Sequence, residues 1–351
     1  MNSKAGIFVV ILIVVALAAL TLACERRLTY DPNNPPTGPA PETITHNIET
    51  SLHGTSRGMQ YWYDHPDGFG AVSGVPYSAA SCGSCHVSNC RDCHGDEGPR
   101  AISTCTKCHA RQELEMNELG LTDVHFESGM VCADCHTPSE VHGDGSVYAN
   151  MVEAAPIRKD CADCHTELPD NTAHQIHSAT VHCASCHVET MVTCYNCHFE
   201  SLLNDKEKRS YGPFSGFTIL ANSTVDDKVR PVTYQSVTYG DHTFVAFGPY
   251  HGHSVMRKGH DCTFCHSSAR MDELNQTGKI KMTEWHADAG TLTHTVGMIP
   301  FVPDKFEFQF MTYDAETKTW KPTTTVTEKT QFLYIEPLTT EQLQKLGYEG
   351  E

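Results

Sequence analysis

Positive charge is scarce in this chain of 351 residues: 25 lysines and arginines stand against 43 aspartates and glutamates, a formal charge of −18. That balance argues against nucleic acid or anionic lipid as a partner. It suits docking to a basic patch on another protein, and equally suits plain solubility. Spare cysteine is lacking as well. Sixteen of the seventeen cysteines fall in one recurring phrase and the last is Cys24, so none is left for a disulfide framework. Apolar residues make up only 39% of the chain, little for the two or three conventionally packed domains that its length would otherwise allow. It offers no hydrolytic triad, nucleotide loop or other catalytic motif.

What is present is a five-residue phrase, two cysteines two residues apart followed by histidine, written eight times. Its copies are Cys82, Cys85 and His86; Cys90, Cys93 and His94; Cys105, Cys108 and His109; Cys132, Cys135 and His136; Cys161, Cys164 and His165; Cys183, Cys186 and His187; Cys194, Cys197 and His198; and Cys262, Cys265 and His266. One helical turn sets two such sulfurs where they can bond the two vinyl groups of a haem while the imidazole points at the iron, the attachment signature of c-type haem. Zinc knuckles need a second ligand pair at a defined offset and no histidine directly after each pair. A disulfide framework gives no reason for that histidine either.

On these motifs, and on its leader, the chain resembles the multihaem c-type cytochromes, specifically an octahaem one of lipoprotein type. The resemblance implies eight covalent haem c groups, electron transfer, and attachment on the far side of a bacterial inner membrane. It names no donor or acceptor.

The motifs crowd into about 185 residues, roughly 23 per haem, too few for a separate core at each site. The expected fold is therefore mostly irregular and haem-packed, with short helices and small β insertions in a multihaem cytochrome c architecture. The haem-free chain should be largely disordered. Residues 1–23 read as a lipoprotein-type signal peptide: an apolar run from Ala5 to Ala23 ends in Leu20-Thr21-Leu22-Ala23-Cys24. Arg26 and Arg27 after the run oppose an uncleaved anchor, because positive charge stays on the cytoplasmic side. Cys24 is the lipid-attachment residue, and Glu25 after it favours the outer membrane. Residues 24–45 hold Pro32, Pro35, Pro36, Pro39 and Pro41 and form a semi-rigid tether. Residues 46–300 are the octahaem domain. Within it the Val, Thr, Tyr and Phe of 211–249 indicate a β insertion, and Tyr61, Trp62 and Tyr63 are haem-packing aromatics. Residues 301–351 form a tail in which Phe306 to Tyr313 pairs with Gln331 to Ile335, followed by a helix from about Thr340 to Leu346.

Each motif histidine supplies one axial ligand, and the second decides between carrier and catalyst. Fourteen histidines lie outside the motifs: His46, His53, His65, His125, His142, His174, His177, His182, His242, His251, His253, His260, His286 and His294. The distal ligands are expected among His53, His125, His142, His174, His182, His253, His260 and His294, with His177 and His251 behind them. Methionine, of which the chain has eleven, is an alternative that would raise the potential, but the abundance of histidine favours bis-histidine, low-potential haems. The motifs nearest in sequence, 1 with 2 and 6 with 7, should give the tightest haem contacts.

The leading expectation is an electron conduit anchored by lipid at the outer membrane, facing periplasm or cell surface. Its partners would be periplasmic or outer-membrane cytochromes, a porin-type barrel, an extracellular acceptor or further copies of itself. A rival is an octahaem oxidoreductase reducing a small nitrogen or sulfur oxyanion, or oxidising hydroxylamine, at one open haem. A third is assembly, in which the β segments dock on a partner or another copy.

Overall fold

A computed structural model describes residues 41–80, 90–95, 97–324 and 329–350. The leader, Cys24, the tether up to residue 40 and the first motif, Cys82, Cys85 and His86, lie outside the described residues. The chain divides into two units, Met1–Ile44 and Thr45–Glu351, and every described strand belongs to the second. Among the described residues no helix is long and apolar enough to cross a membrane.

Between Cys90 and His182 the chain is a succession of short helices and turns, and among the described residues there only Leu114 and Ala154 are buried apolar side chains. Nothing of its own fills this half. The other half is different. Seven strands, β1 (Met191–His198), β2 (Ser210–Ser223), β3 (Val229–Tyr239), β4 (His242–Pro249), β5 (Gly297–Pro300), β6 (Lys329–Phe332) and β7 (Ile335–Glu336), make one sheet. Its order is β6-β4-β3-β1-β2-β7, with β5 also on β2. β2 and β3 flank β1 at one end and pair directly further along, Ile219 opposite Val232. β6 and β7 occupy opposite edges, yet only Leu333 and Tyr334 separate them. Two residues span roughly 10 Å at most, so the sheet is curled until its edges meet.

The curl encloses an aromatic and methionine core including Tyr195, Phe217, Phe247, Phe301, Phe310, Met271 and Met298. The helix Ala269–Thr277, capped by the Ser268 hydroxyl and ended by Gly278 at φ 73°, buries Met271 and Leu274 against it. Tyr195 is fully buried, its hydroxyl donating to the Gln309 carbonyl at 2.9 Å and 3.0 Å from the Thr283 hydroxyl. A second, smaller cluster joins Tyr63, Phe69, Phe199 and Phe244. Tyr63 is thus packed on protein, and Trp62 meets Tyr334 edge to face.

The β structure is larger than the small insertions read from sequence, because segments far apart in the chain close one sheet. The expected tail hairpin is not formed: Gln331 pairs with Ala246 and Ile335 with Ser223. Phe306 and Glu307 pair instead with Ile280 and Lys281, and Met311–Asp314 with Thr319–Pro322. The last helix runs Thr340–Lys345 from a Thr339 cap.

A chain made without haem attachment should split in hydrogen exchange, with β1 to β4 protected and residues 90–180 exchanging as an unfolded chain does; uniform exchange throughout would contradict the division. Tyr195→Phe, which removes one buried hydroxyl and leaves the Gln309 carbonyl only its longer bond from the Thr283 hydroxyl at 3.3 Å, is expected to lower stability in denaturant unfolding by about 1 kcal/mol.

Candidate haem-ligand sites

Six motifs form one helical turn apiece. In motifs 2, 3, 4 and 5 the histidine N–H returns to the carbonyl of the first cysteine, at 2.8 to 3.0 Å for His94, His109, His136 and His165. Motifs 6 and 8 are the helices Cys183–His187 and Cys262–His266.

Opposite each of these six histidines stands a histidine from outside the motifs. The pairs, by ring-centre distance, are His94 with His142 at 6.0 Å, His109 with His53 at 6.1 Å, and His136 with His253 at 6.2 Å. His165 faces His125 at 6.2 Å, His187 faces His174 at 6.3 Å, and His266 faces His177 at 6.2 Å. An imidazole nitrogen binds a metal at about 2 Å, and the ring centre lies about 1 Å behind it, so two rings on one iron stand about 6 Å apart. The six gaps fit a haem iron held on both faces.

The second ring nitrogen supports the same assignment. A ligating histidine fixes its tautomer by giving the other N–H to a carbonyl or carboxylate. Here Nδ1 of His174 lies 2.9 Å from the Pro169 carbonyl, that of His177 3.1 Å from Ala173, that of His187 3.3 Å from Met256 and that of His266 2.9 Å from Lys345. His125 turns Nδ1 to Asp123 at 3.0 Å and His136 to Glu140 at 3.1 Å. His253 lies 3.7 Å from Glu115, a fully buried carboxylate raised by that burial and held by the Tyr250 hydroxyl. In the six whose Nδ1 lies on a carbonyl or carboxylate oxygen, Nε2 is left for the gap, while Nδ1 of His253 makes no hydrogen bond. Burial first, then nearby imidazoles, pulls His53 and His253 down to about 4, so at neutral pH they keep the lone pair that iron needs.

The remaining distal candidates are placed otherwise. His260 lies flat on Phe264 with Nε2 at 3.1 Å from the Val188 carbonyl. His294 stacks on Phe214 with Nε2 at 2.7 Å from the Ser215 carbonyl. His182 takes the Ala184 N–H on Nδ1 as a helix cap and meets Asp160 with Nε2 at 3.3 Å. It faces His251, at 6.0 Å, whose ring burial pulls down to about 3, helped by Arg158. Asp160, Cys161 and His182 also lie within metal-binding distance of one another, and Cys161 is part of motif 5.

Cysteines of successive motifs adjoin. Burial is the first cause raising Cys93, Cys135 and Cys186, and beyond it they feel Cys108, Cys164 and Cys262 respectively. Cys105 is raised to about 11 by burial and then by Cys132, and Cys161 shares a hydrogen bond with Cys183. In chain order these influences link motif 2 with 3, 3 with 4, 4 with 5, 5 with 6 and 6 with 8. Cys265, like Cys186, is raised first by burial, and then by Cys186.

Motif 7 stands apart. Cys194, Cys197 and His198 lie on β1 rather than in a helical turn. His198 faces Tyr313 and Trp320, with Nδ1 at 2.9 Å from the Ser201 hydroxyl and Nε2 at 3.3 Å from the Glu200 carboxylate.

The chain is similar to a dissimilatory sulfite reductase. That protein, MccA of Wolinella succinogenes, is 27% identical over 160 residues, covering 31% of this chain and 23% of its own length. The match thus spans less than a quarter of the relative. No protein-family model and no solved structure matches the chain. With the motifs, the similarity to MccA supports a multihaem redox role.

His253→Ala in the haem-loaded, reduced protein should open one iron and let it bind carbon monoxide at about one per molecule, whereas His294→Ala should bind no more than the parent. Equal binding by both variants would contradict the pairing.

Proposed function

We propose that this protein carries electrons along covalently attached haems whose irons are held between paired imidazoles. The observation that carries this reading is the set of six facing pairs, each with one motif histidine and one histidine from elsewhere, at 6.0 to 6.3 Å. When bound, haem supplies reversible one-electron chemistry, at low potential where both ligands are imidazole. The chain's own residues do the rest. Nδ1 anchors hold the rings, the helical turns present the cysteines, and adjoining cysteines bring neighbouring haem edges together in the order 2, 3, 4, 5, 6 and 8. Cys24 would carry the lipid that tethers this conduit to the outer membrane, facing periplasm or surface. The partners would be other cytochromes, a porin-type barrel, an extracellular acceptor or further copies.

The similarity to MccA favours a second reading, in which one haem reduces sulfite or a related nitrogen or sulfur oxyanion. Paired imidazoles at motifs 2, 3, 4, 5, 6 and 8 would leave no exchangeable position there, so this activity would fall to a motif outside those six.

Low-temperature electron paramagnetic resonance of the oxidised protein, with haem counted as pyridine haemochrome, separates the two. The conduit predicts low-spin signals alone. A high-spin signal near one haem per molecule that shifts with sulfite, nitrite or hydroxylamine would replace the pure carrier with a reductase.

A further inference from the structure

We infer that the seventh motif, Cys194-Tyr195-Asn196-Cys197-His198, carries no haem and that Cys194 and Cys197 remain free thiols inside the β-sheet. The inference rests on haem attachment at the other motifs, against which this copy is the exception.

Three independent features separate it from them. The first is backbone. Where helical motifs 2 to 5 return the histidine N–H to their own first cysteine, His198 gives its N–H to the Arg209 carbonyl across the sheet at 2.9 Å. β1 is paired on both sides, with Cys194 opposite Pro213 and Cys197 opposite both Ser210 and Val237. Winding the motif into a turn would strip those pairings from the middle of the sheet.

The second is the intervening pair. Motif 6 also buries its intervening Ala184 and Ser185, but within a helical turn, whereas here both intervening residues are fully buried on an extended strand and tied into the sheet and core. Tyr195 sits in the aromatic core. Asn196, at φ 55°, gives its side-chain amide N–H groups to the Met311 carbonyl at 2.7 Å and to the Thr238 hydroxyl at 3.1 Å, and its amide oxygen accepts the Met311 backbone N–H at 2.7 Å. Its own N–H goes to the Ser236 hydroxyl at 2.8 Å. Leaving these groups unpaired would cost about 1–3 kcal/mol each. Gln235 completes the fixture, donating to the Cys194 carbonyl at 2.9 Å and to the Cys197 sulfur at 3.1 Å.

The third is the imidazole. In the facing pairs Nε2 points into a gap with a second histidine beyond it, but Nε2 of His198 lies 3.3 Å from Glu200. A carboxylate stands where iron would have to be, and the rings beyond are Tyr313 and Trp320.

The test is a peptide map of the haem-loaded wild-type protein, denatured, alkylated and digested. The peptide holding Cys194 and Cys197 should carry two alkyl groups and no haem, while peptides of motifs 2, 3, 4, 5, 6 and 8 carry one haem each. In the Cys194→Ala/Cys197→Ala double variant the haem-to-protein ratio should stay unchanged, whereas Cys262→Ala/Cys265→Ala should lose one. Haem on the Cys194 peptide alongside the others would overturn this inference alone. Haem on none of the peptides would overturn both it and the proposed function.

Discussion

The arrangement depends on one choice made repeatedly by imidazole: which of its two nitrogens the protein consumes. Where Nδ1 is spent on a carbonyl or carboxylate, as in His125, His136, His174, His177, His187 and His266, Nε2 faces a second ring about 6 Å away across a gap that suits a metal. Where Nε2 is spent, as in His182, His260 and His294, no motif histidine among the described residues faces the ring. A histidine count alone cannot make this distinction, since fourteen candidates compete for far fewer places.

The β half supplies the rigidity that the other half lacks. The loop after β4 brings His253 to His136 and gives the Met256 carbonyl to His187, while Asp123 both turns His125 and accepts the N–H of Val255 at 3.2 Å. The final helix ends on the Lys345 carbonyl that orients His266. A conventional aromatic core therefore fixes histidines belonging to a region with almost no apolar core of its own among the described residues. Haem is suited to fill that deficit, because its large apolar face replaces the side chains that the short helices do not provide.

Sequence makes the motif cysteines and histidines legible because attachment chemistry demands a local spacing. It makes six of the ten distal candidates legible as types of residue, but not their partners. His142 faces His94 and His253 faces His136 through folding that no local pattern records. His260 and His294 mislead because proximity in sequence and sheer abundance say nothing about Nε2. The sheet is under-read for a similar reason: β6 and β7 are too short to signal, and they pair with strands roughly a hundred residues earlier. The seventh copy of the phrase matches every local rule, and its difference lies wholly in the strands on either side of it.

Near-infrared magnetic circular dichroism of the oxidised, haem-loaded protein tests the central claim most directly, since its charge-transfer bands distinguish two imidazoles on iron from imidazole with methionine and from an open position. The facing pairs predict at least six bis-imidazole irons per molecule. Imidazole–methionine or open sites making up most of the intensity would contradict the account.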